Sequence, residues 1–197
     1  NHALTPRTPN IAPIGADAIL TYTFDDYNAF AENQKKYLDR STVLDATFKA
    51  VEEVGHVFLN NDKAIILHTY GSEDILNFLD SIKKSSQEYQ GNEIVALSES
   101  DFLEQYFTPL INGYKANYYT IIEDAFVFAN TTETLKTIIG NFKNASTFEK
   151  TSTYKTAKAQ LADESSILFI SKADGIEYFL NEHFKKDLSK DIKIKDL

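Results

Sequence analysis

Apolar and polar residues form their clearest pattern between positions 118 and 142. Two short apolar runs, residues 118–122 and 125–129, are separated only by Glu123 and Asp124. Apolar runs joined by two polar residues are typical of a β-hairpin. Beyond the hairpin, apolar residues recur at the spacing of one helical face, which predicts a helix opened by Asn130. Those residues are Leu135, Ile138, Ile139 and Phe142.

A second stretch repeats this order of hairpin and then helix. Residues 56–59 and 64–67 are apolar runs on either side of the polar residues 60–62. Asn and Asp tolerate the backbone conformations of tight turns, so this segment predicts another hairpin. A helix over residues 72–84 follows it, with four residues on its apolar face: Ile75, Leu76, Leu79 and Ile82.

The remaining periodic segments complete an α+β pattern. The sequence predicts strands at residues 18–24, 93–97 and 166–171, and helices after Asp26, over 42–53 and over 102–110. Two hairpins require antiparallel strand pairs, and strands that lead into amphipathic helices favour helices layered on a sheet. We therefore expect an α+β fold with a mixed or antiparallel sheet, built from repeated strand or hairpin and then helix units.

The chain is expected to have one main domain with short flanking segments. Residues 1–16 contain Pro6, Pro9 and Pro13, a composition typical of an extended, poorly packed leader or tether. Residues 17–190 are predicted to form a single α+β domain. Residues 191–197 alternate in polarity like the first strand of a downstream segment, so we expect the natural protein to continue beyond both ends.

Composition and charge argue against several classes of function. The net charge is −9, and this field repels phosphate backbones, so nucleic acid is not an expected partner. The chain has no Cys, which removes disulfides and zinc–thiolate sites and is compatible with an oxidising compartment. No run approaches the roughly 20 apolar residues that cross a bilayer. An attachment to a membrane would therefore need an anchor before residue 1.

The sequence offers few candidates for catalysis or for binding a metal. His56 and His68 lie on the two arms of the first predicted hairpin, so a divalent metal could use both rings, although no third ligand is evident. Histidines on strands are more often residues of a sheet face that bond to whatever lies nearby. Pairs of adjacent acids are explained by turns and helix caps, and no phosphate-binding glycine loop or nucleophile elbow is present. We predict no catalytic residue and no cofactor.

Aromatic residues give the remaining candidate site. Four tyrosines cluster around the turn that leads to the central hairpin: Tyr106, Tyr114, Tyr118 and Tyr119. Alternate residues of a strand face away from the core, so a tyrosine-rich outward face would be a docking surface for a peptide, a glycan or a neighbouring domain. Packing in the core or at a sheet edge is the more common alternative for such residues.

Three phrases in the second half of the chain resemble a large bacterial family known only as a domain of unknown function, number three-three-five-two. They are Ala125 to Leu135, Ser152 to Lys155, and the acidic turn Ala162 to Ile167. The opening Ile14 to Leu20 is also similar to the first strand of that family. The resemblance implies an extracytoplasmic protein, longer than this chain and often attached to the envelope by an N-terminal signal or lipid anchor. It supplies no activity and no functional residues.

Three functional hypotheses follow. The first is a non-catalytic extracytoplasmic module, in the periplasm or at the cell surface, that binds or scaffolds a protein or glycan partner at the envelope. The second is a hydrolase-type enzyme whose site combines dispersed acids and histidines. The third is a structural domain that supports a functional C-terminal part. The oligomeric state is left open by the sequence.

Overall fold

An eight-stranded antiparallel sheet lies at the centre of the structure. The computed structural model describes residues 3–42, 44–60 and 62–172. The spatial order of its strands is β4-β5-β6-β7-β3-β2-β1-β8. The strands are β1 Ala18–Thr23, β2 Val51–Leu59, β3 Asp62–Thr69, β4 Lys83–Tyr89, β5 Asn92–Leu97, β6 Tyr118–Ile122, β7 Ala125–Ala129 and β8 Ile167–Ser171.

Five helices connect or follow these strands within the described residues. They are α1 Tyr27–Tyr37, α2 Glu73–Ser81, α3 Phe102–Phe107, α4 Thr132–Lys143 and α5 Ser152–Lys158, with 3₁₀ turns at Thr8–Asn10 and Phe148–Lys150. Side-chain caps fix three of the helix starts. The Asp26 carboxylate accepts hydrogen bonds from two amides in the first turn of α1, and the hydroxyls of Thr131 and Thr151 each accept one in α4 and α5. The expected cap at Asn130 is therefore displaced by one residue.

Both faces of the sheet are covered over its central strands. The face that we call the α1–α3 face carries Phe126 and Phe128 of β7, and it packs against α1, α2 and α3. The opposite face, the α4 face, carries Val127 of β7 and packs against α4, α5 and the N-terminal residues 11–16. Since side chains alternate along a strand, the central strands supply apolar residues to both layers at once.

The structure confirms the predicted fold class and its repeating unit. The sheet with its layered helices is α+β, and every described strand pair is antiparallel. Hairpin and then helix occurs three times in chain order, as β2-β3-α2, β4-β5-α3 and β6-β7-α4. The central hairpin has the predicted register, in which Ile122 pairs with Ala125 across a turn where Glu123 has φ 55°.

Two local predictions are wrong. The helix expected over residues 42–53 is absent: a turn occupies residues 47–50, and Val51 already begins β2. The apolar residues in that segment mimic a helical stripe, but most of β2 is buried on both faces of the sheet. The hairpin β4-β5 was missed because β4 is exposed on both faces at the edge of the sheet. An edge strand of this kind has no hydrophobic periodicity that could reveal it.

The predicted loose packing of the leader is also wrong. Thr8, Ile11 and Ala12 are almost completely buried against the α4 face of the sheet. Backbone hydrogen bonds hold this segment in place, including one of 2.7 Å from the amide of Phe148 to the carbonyl of Ala12. Prolines here shape a 3₁₀ turn over Thr8–Asn10, whose small side chains fit close to the sheet.

Several predictions fall on residues outside the described ranges. These include the end of the predicted domain 17–190 and the segment 191–197. No helix within residues 3–42, 44–60 and 62–172 has the length and apolar character needed to cross a bilayer.

Candidate functional site

A cleft of about 390 Å³ opens where β3 ends beside the turn of the β6-β7 hairpin. We call it the strand-end cleft. Its lining combines aromatic and aliphatic side chains with hydroxyls and carboxylates. The lining residues are Thr69, Tyr70, Gly71, Ser72, Ile121, Glu123, Asp124 and Phe126.

Tyr70 is an exposed aromatic residue of this lining. Its side chain follows the last residue of β3 and is 69% exposed. The hydroxyl donates a hydrogen bond of 3.3 Å to the carbonyl of Lys49, which restrains the ring without burying it. Tyr70 also borders a second cleft of about 260 Å³ on the side of Lys49 and Asp74. The ring therefore stands between two depressions, with an apolar surface available for stacking.

The polar groups of the cleft are held by contacts between distant parts of the chain. The Thr69 hydroxyl donates to the carbonyl of Asp124 at 3.1 Å. The Arg7 guanidinium donates to carboxylate oxygens of Asp124 at 2.6 Å and Glu52 at 3.0 Å. These contacts connect the hairpin turn, β2 and the leader, so the rim of the cleft is fixed from three sides.

Behind this rim, a buried carboxylate anchors the leader to the sheet. Glu53 on β2 is only 1% exposed. It accepts hydrogen bonds from the backbone amides of Arg7 at 2.6 Å and Thr8 at 2.9 Å, and from the Thr8 hydroxyl at 2.6 Å. Burial raises the pKa of Glu53, while these hydrogen bonds act in the opposite direction. We refer to Arg7, Thr8, Glu53 and His68 as the Glu53 anchor.

His68 completes the anchor from the neighbouring strand. It lies opposite Glu53 in the β2-β3 register, and its Nε2 is 3.4 Å from the Thr8 hydroxyl oxygen. Its Nδ1 is buried and has no hydrogen-bond partner among the described residues. Burial lowers the pKa of His68 to about 3, and the nearby charge of Arg7 adds to this effect. The ring is therefore neutral at physiological pH.

An acid, a hydroxyl and an imidazole in contact form a set of groups that could transfer protons in an enzyme. Here the hydroxyl of Thr8 donates to Glu53, and all three side chains are at most 1% exposed. A substrate would have to displace the leader to reach them. The arrangement as it stands holds the leader on the sheet.

The predicted pairing of His56 with His68 at a metal is wrong. His56 pairs with Ile65 across the β2-β3 ladder, whereas His68 is three residues farther along β3. Because side chains alternate, an odd offset places the two rings on opposite faces of the sheet. His56 instead makes an edge contact with Tyr22 at 6.0 Å between ring centroids. Among the described residues, no group of three potential ligands could hold a metal ion.

The four predicted tyrosines do not form an outward-facing surface. Tyr106, Tyr114 and Tyr119 are less than 9% exposed. Tyr118 is half-buried and packs against the hydrophobic cluster on the α4 face. The hydroxyl of Tyr114 donates to the carbonyls of Lys63 at 2.8 Å and Phe128 at 3.1 Å. Tyr118 and Tyr119 are covered because β6 is an interior strand, whereas Tyr106 on α3 and Tyr114 before β6 pack into the core of the α1–α3 face.

Sequence reasoning missed Tyr70 and Glu53. Tyr70 lies after a predicted strand and directly before Gly71. An aromatic side chain at the end of a strand can be exposed to solvent, so this position was a candidate for a surface ring. Glu53 is one of two adjacent acids, with Glu52, in a segment otherwise rich in apolar residues. Adjacent side chains of a strand point to opposite faces, so one carboxylate is expected to be buried once the segment is assigned to a strand. Both signals depended on recognising where β2 and β3 begin and end.

Comparisons with known proteins give only a distant likeness. No family model matches the chain, and no curated protein matches it. Crystal form I of TP0453 superposes with a TM-score of 0.46 at 10% identity, covering 89% of this chain and 66% of that chain. Crystal form III gives 0.47 at 11% identity, covering 90% and 67%. This chain thus spans about two thirds of the length of TP0453.

Proposed function

We propose that this protein is a non-catalytic extracytoplasmic module that binds a glycan partner in the strand-end cleft. The observation that carries the proposal is the exposed ring of Tyr70 at a cleft with hydroxyl and carboxylate groups. Sugars present an apolar ring face together with hydroxyls, and an aromatic residue beside hydrogen-bonding groups complements both features.

The size and rigidity of the cleft support a small ligand. Its volume of about 390 Å³ lies near the lower end of the range of roughly 300–1,000 Å³ that is usual for ligand pockets. Arg7 already pairs with Asp124 and Glu52, so the rim is ordered before a ligand arrives. A pre-organised rim reduces the entropy lost on binding. An extracytoplasmic setting is supported by the composition without Cys and by the resemblance to an envelope family.

The test is a binding screen against soluble oligosaccharides, with affinities measured by isothermal titration calorimetry. For a glycan found in this screen, Tyr70→Ala should weaken binding at least about tenfold, because the aromatic stacking surface beside the cleft is lost. Tyr37→Ala is the matched control, since Tyr37 on α1 is similarly exposed, at 67%, but does not line the cleft. Absence of binding to any glycan, or an equal loss in both variants, would overturn the proposal.

The hydrolase hypothesis rests on one specific contact, that of Thr8 with Glu53 and His68. An enzyme that used these groups would lose hydrolysis of glycoside or ester substrates on substitution of Glu53→Gln. The hypothesis of a structural domain that supports a C-terminal part is tested by the natural reading frame beyond residue 197.

A further inference from the structure

Strand β4 leaves one edge of the sheet open to solvent. Six of its seven residues, 83–88, are exposed, and Tyr89 is half-buried. Its inner edge pairs with β5, and no described strand pairs with its outer edge. Within the part of the chain that the structure describes, the outer edge therefore presents unpaired backbone amides and carbonyls, which are a template for another strand.

The turn after β4 shows which residues point outward. Gln90 and Gly91 have φ of 51° and 78°, the signature of a two-residue type I′ hairpin turn. In such a hairpin, the flanking pair Tyr89 and Asn92 exchange backbone hydrogen bonds. Backbone direction alternates along a strand, so Gln87 also bonds inward to β5. The amides and carbonyls of Ser86 and Glu88 point outward.

The charges on β4 are complementary to those on a second copy of β4 in the antiparallel direction. Two antiparallel copies related by a twofold axis at Ser86 bring Lys84 of each copy close to Glu88 of the other, with Lys84 in the β-bulge just outside the regular part of the strand. A twofold axis at Ser85 or at Gln87 creates no pair of opposite charges. Neither Lys84 nor Glu88 belongs to an ion pair among the residues that the structure describes. Both charges are thus available for a partner.

A bulge limits the length of this edge. The β4-β5 register shifts between Lys83 and Ser85, and bulges and lysines on an edge commonly prevent unselective pairing. The regular part of the outer edge is short, and like charges meet in displaced pairings. One register remains in which the opposite charges meet.

From these observations we propose that β4 pairs with β4 of a second copy of this chain, antiparallel and centred on Ser86, to form a continuous sheet across a weak homodimer. An interface made of one pair of short edge strands belongs to the class of small, transient interfaces, so the dimer dissociates on dilution. This interface lies at the opposite end of the strand order from β1 and β8, and it is independent of the strand-end cleft.

Sedimentation velocity over a range from micromolar to millimolar protein tests the proposal. The wild-type chain should show a reversible monomer–dimer equilibrium. Glu88→Lys should weaken association by about tenfold or more, because two attractive pairs become repulsive. Lys84→Glu should do the same, and the double variant Lys84→Glu with Glu88→Lys should restore dimerisation because the swapped charges again face each other.

Two further variants separate the effect of pairing at β4 from the effect of net charge. Glu99→Lys makes the same change of net charge at an exposed residue outside β4 and should leave association unchanged. Ser86→Pro removes an outward amide without breaking a β4-β5 bond, so it should abolish the dimer while circular dichroism shows an unchanged fold. A monomer at every concentration, or a dimer that neither charge reversal weakens, would overturn the proposal.

Discussion

At the scale of single residues, burial has opposite consequences for the two ionisable groups of the Glu53 anchor. Removal from water disfavours the charged form of any group, so it raises the pKa of Glu53 and lowers that of His68. Glu53 gains hydrogen bonds from Arg7 and Thr8 that offset part of this effect. The imidazole of His68 has only the 3.4 Å contact with Thr8.

His68 should therefore make the fold less stable in acid. The pKa in the folded state is about 3, below the ordinary value of 6.5, so the unfolded chain takes up a proton that the folded chain excludes. Its stabilising contribution is complete above pH 6.5 and is lost progressively as the pH falls toward 3, by a total on the order of 5 kcal/mol. Glu53 acts with the opposite sign, because its raised pKa favours proton uptake by the folded state.

Urea unfolding at a series of pH values, together with an NMR titration of the His68 ring, measures this effect. We expect the ring to remain neutral at pH 5, and the free energy of unfolding to fall between pH 7 and pH 5. His68→Gln should flatten that dependence, whatever its effect on absolute stability. A His68 ring that titrates near pH 6.5 would contradict the burial argument.

At the scale of elements, the leader is held by the shape of β2 as well as by Glu53. The backbone of Gly55 lies directly beneath Thr8. A Cβ at this position would lie 2.0 Å from the Thr8 hydroxyl oxygen and 2.9 Å from its methyl carbon. This close approach, rather than an unusual φ, is the reason that glycine is needed here.

Gly55→Ala should therefore lift the leader from the sheet and destabilise the fold by about 1–3 kcal/mol, the range for overpacked sites. Hydrogen exchange should show faster exchange of the amides of residues 7 and 8, which donate to Glu53. Gly140→Ala is the matched control: it lies in α4 with nothing within 4 Å of the new Cβ, so it should stabilise by about 0.5–1 kcal/mol. Equal stability of the two variants would show that the leader is not seated as described.

The same elements show how far sequence alone could reach. The β6-β7 hairpin and α4 were predictable because a local pattern and a local turn decide them. The leader was not, because its burial depends on Gly55 and Glu53, some 45 residues away in sequence. The strand-end cleft was hidden for a similar reason, since Tyr70 and Asp124 meet only when β3 pairs with β7.

At the scale of the whole molecule, the sheet lies between two hydrophobic layers that share its central strands. Phe126 and Phe128 on β7 pack toward α1–α3, whereas Val127 between them packs toward α4. On β3, Ile65 likewise packs toward α1–α3 and Ile66 toward α4. Loss of either layer would expose one side of these strands to water, so we expect the stability of each layer to depend on the other.

This coupling predicts a single cooperative unfolding transition. Phe128→Ala removes a fully buried ring on the α1–α3 face and should cost about 3–5 kcal/mol. Native-state hydrogen exchange then reports the extent of the loss: the slowest amides of α2 and of α4 should accelerate by the same factor, although α4 lies on the other face. Ile138→Ala, a substitution within α4, is the reciprocal test and should accelerate the slowest α2 amides as much as those of α4. If each substitution affected only its own layer, the two layers would be separate folding units and the sheet would not couple them.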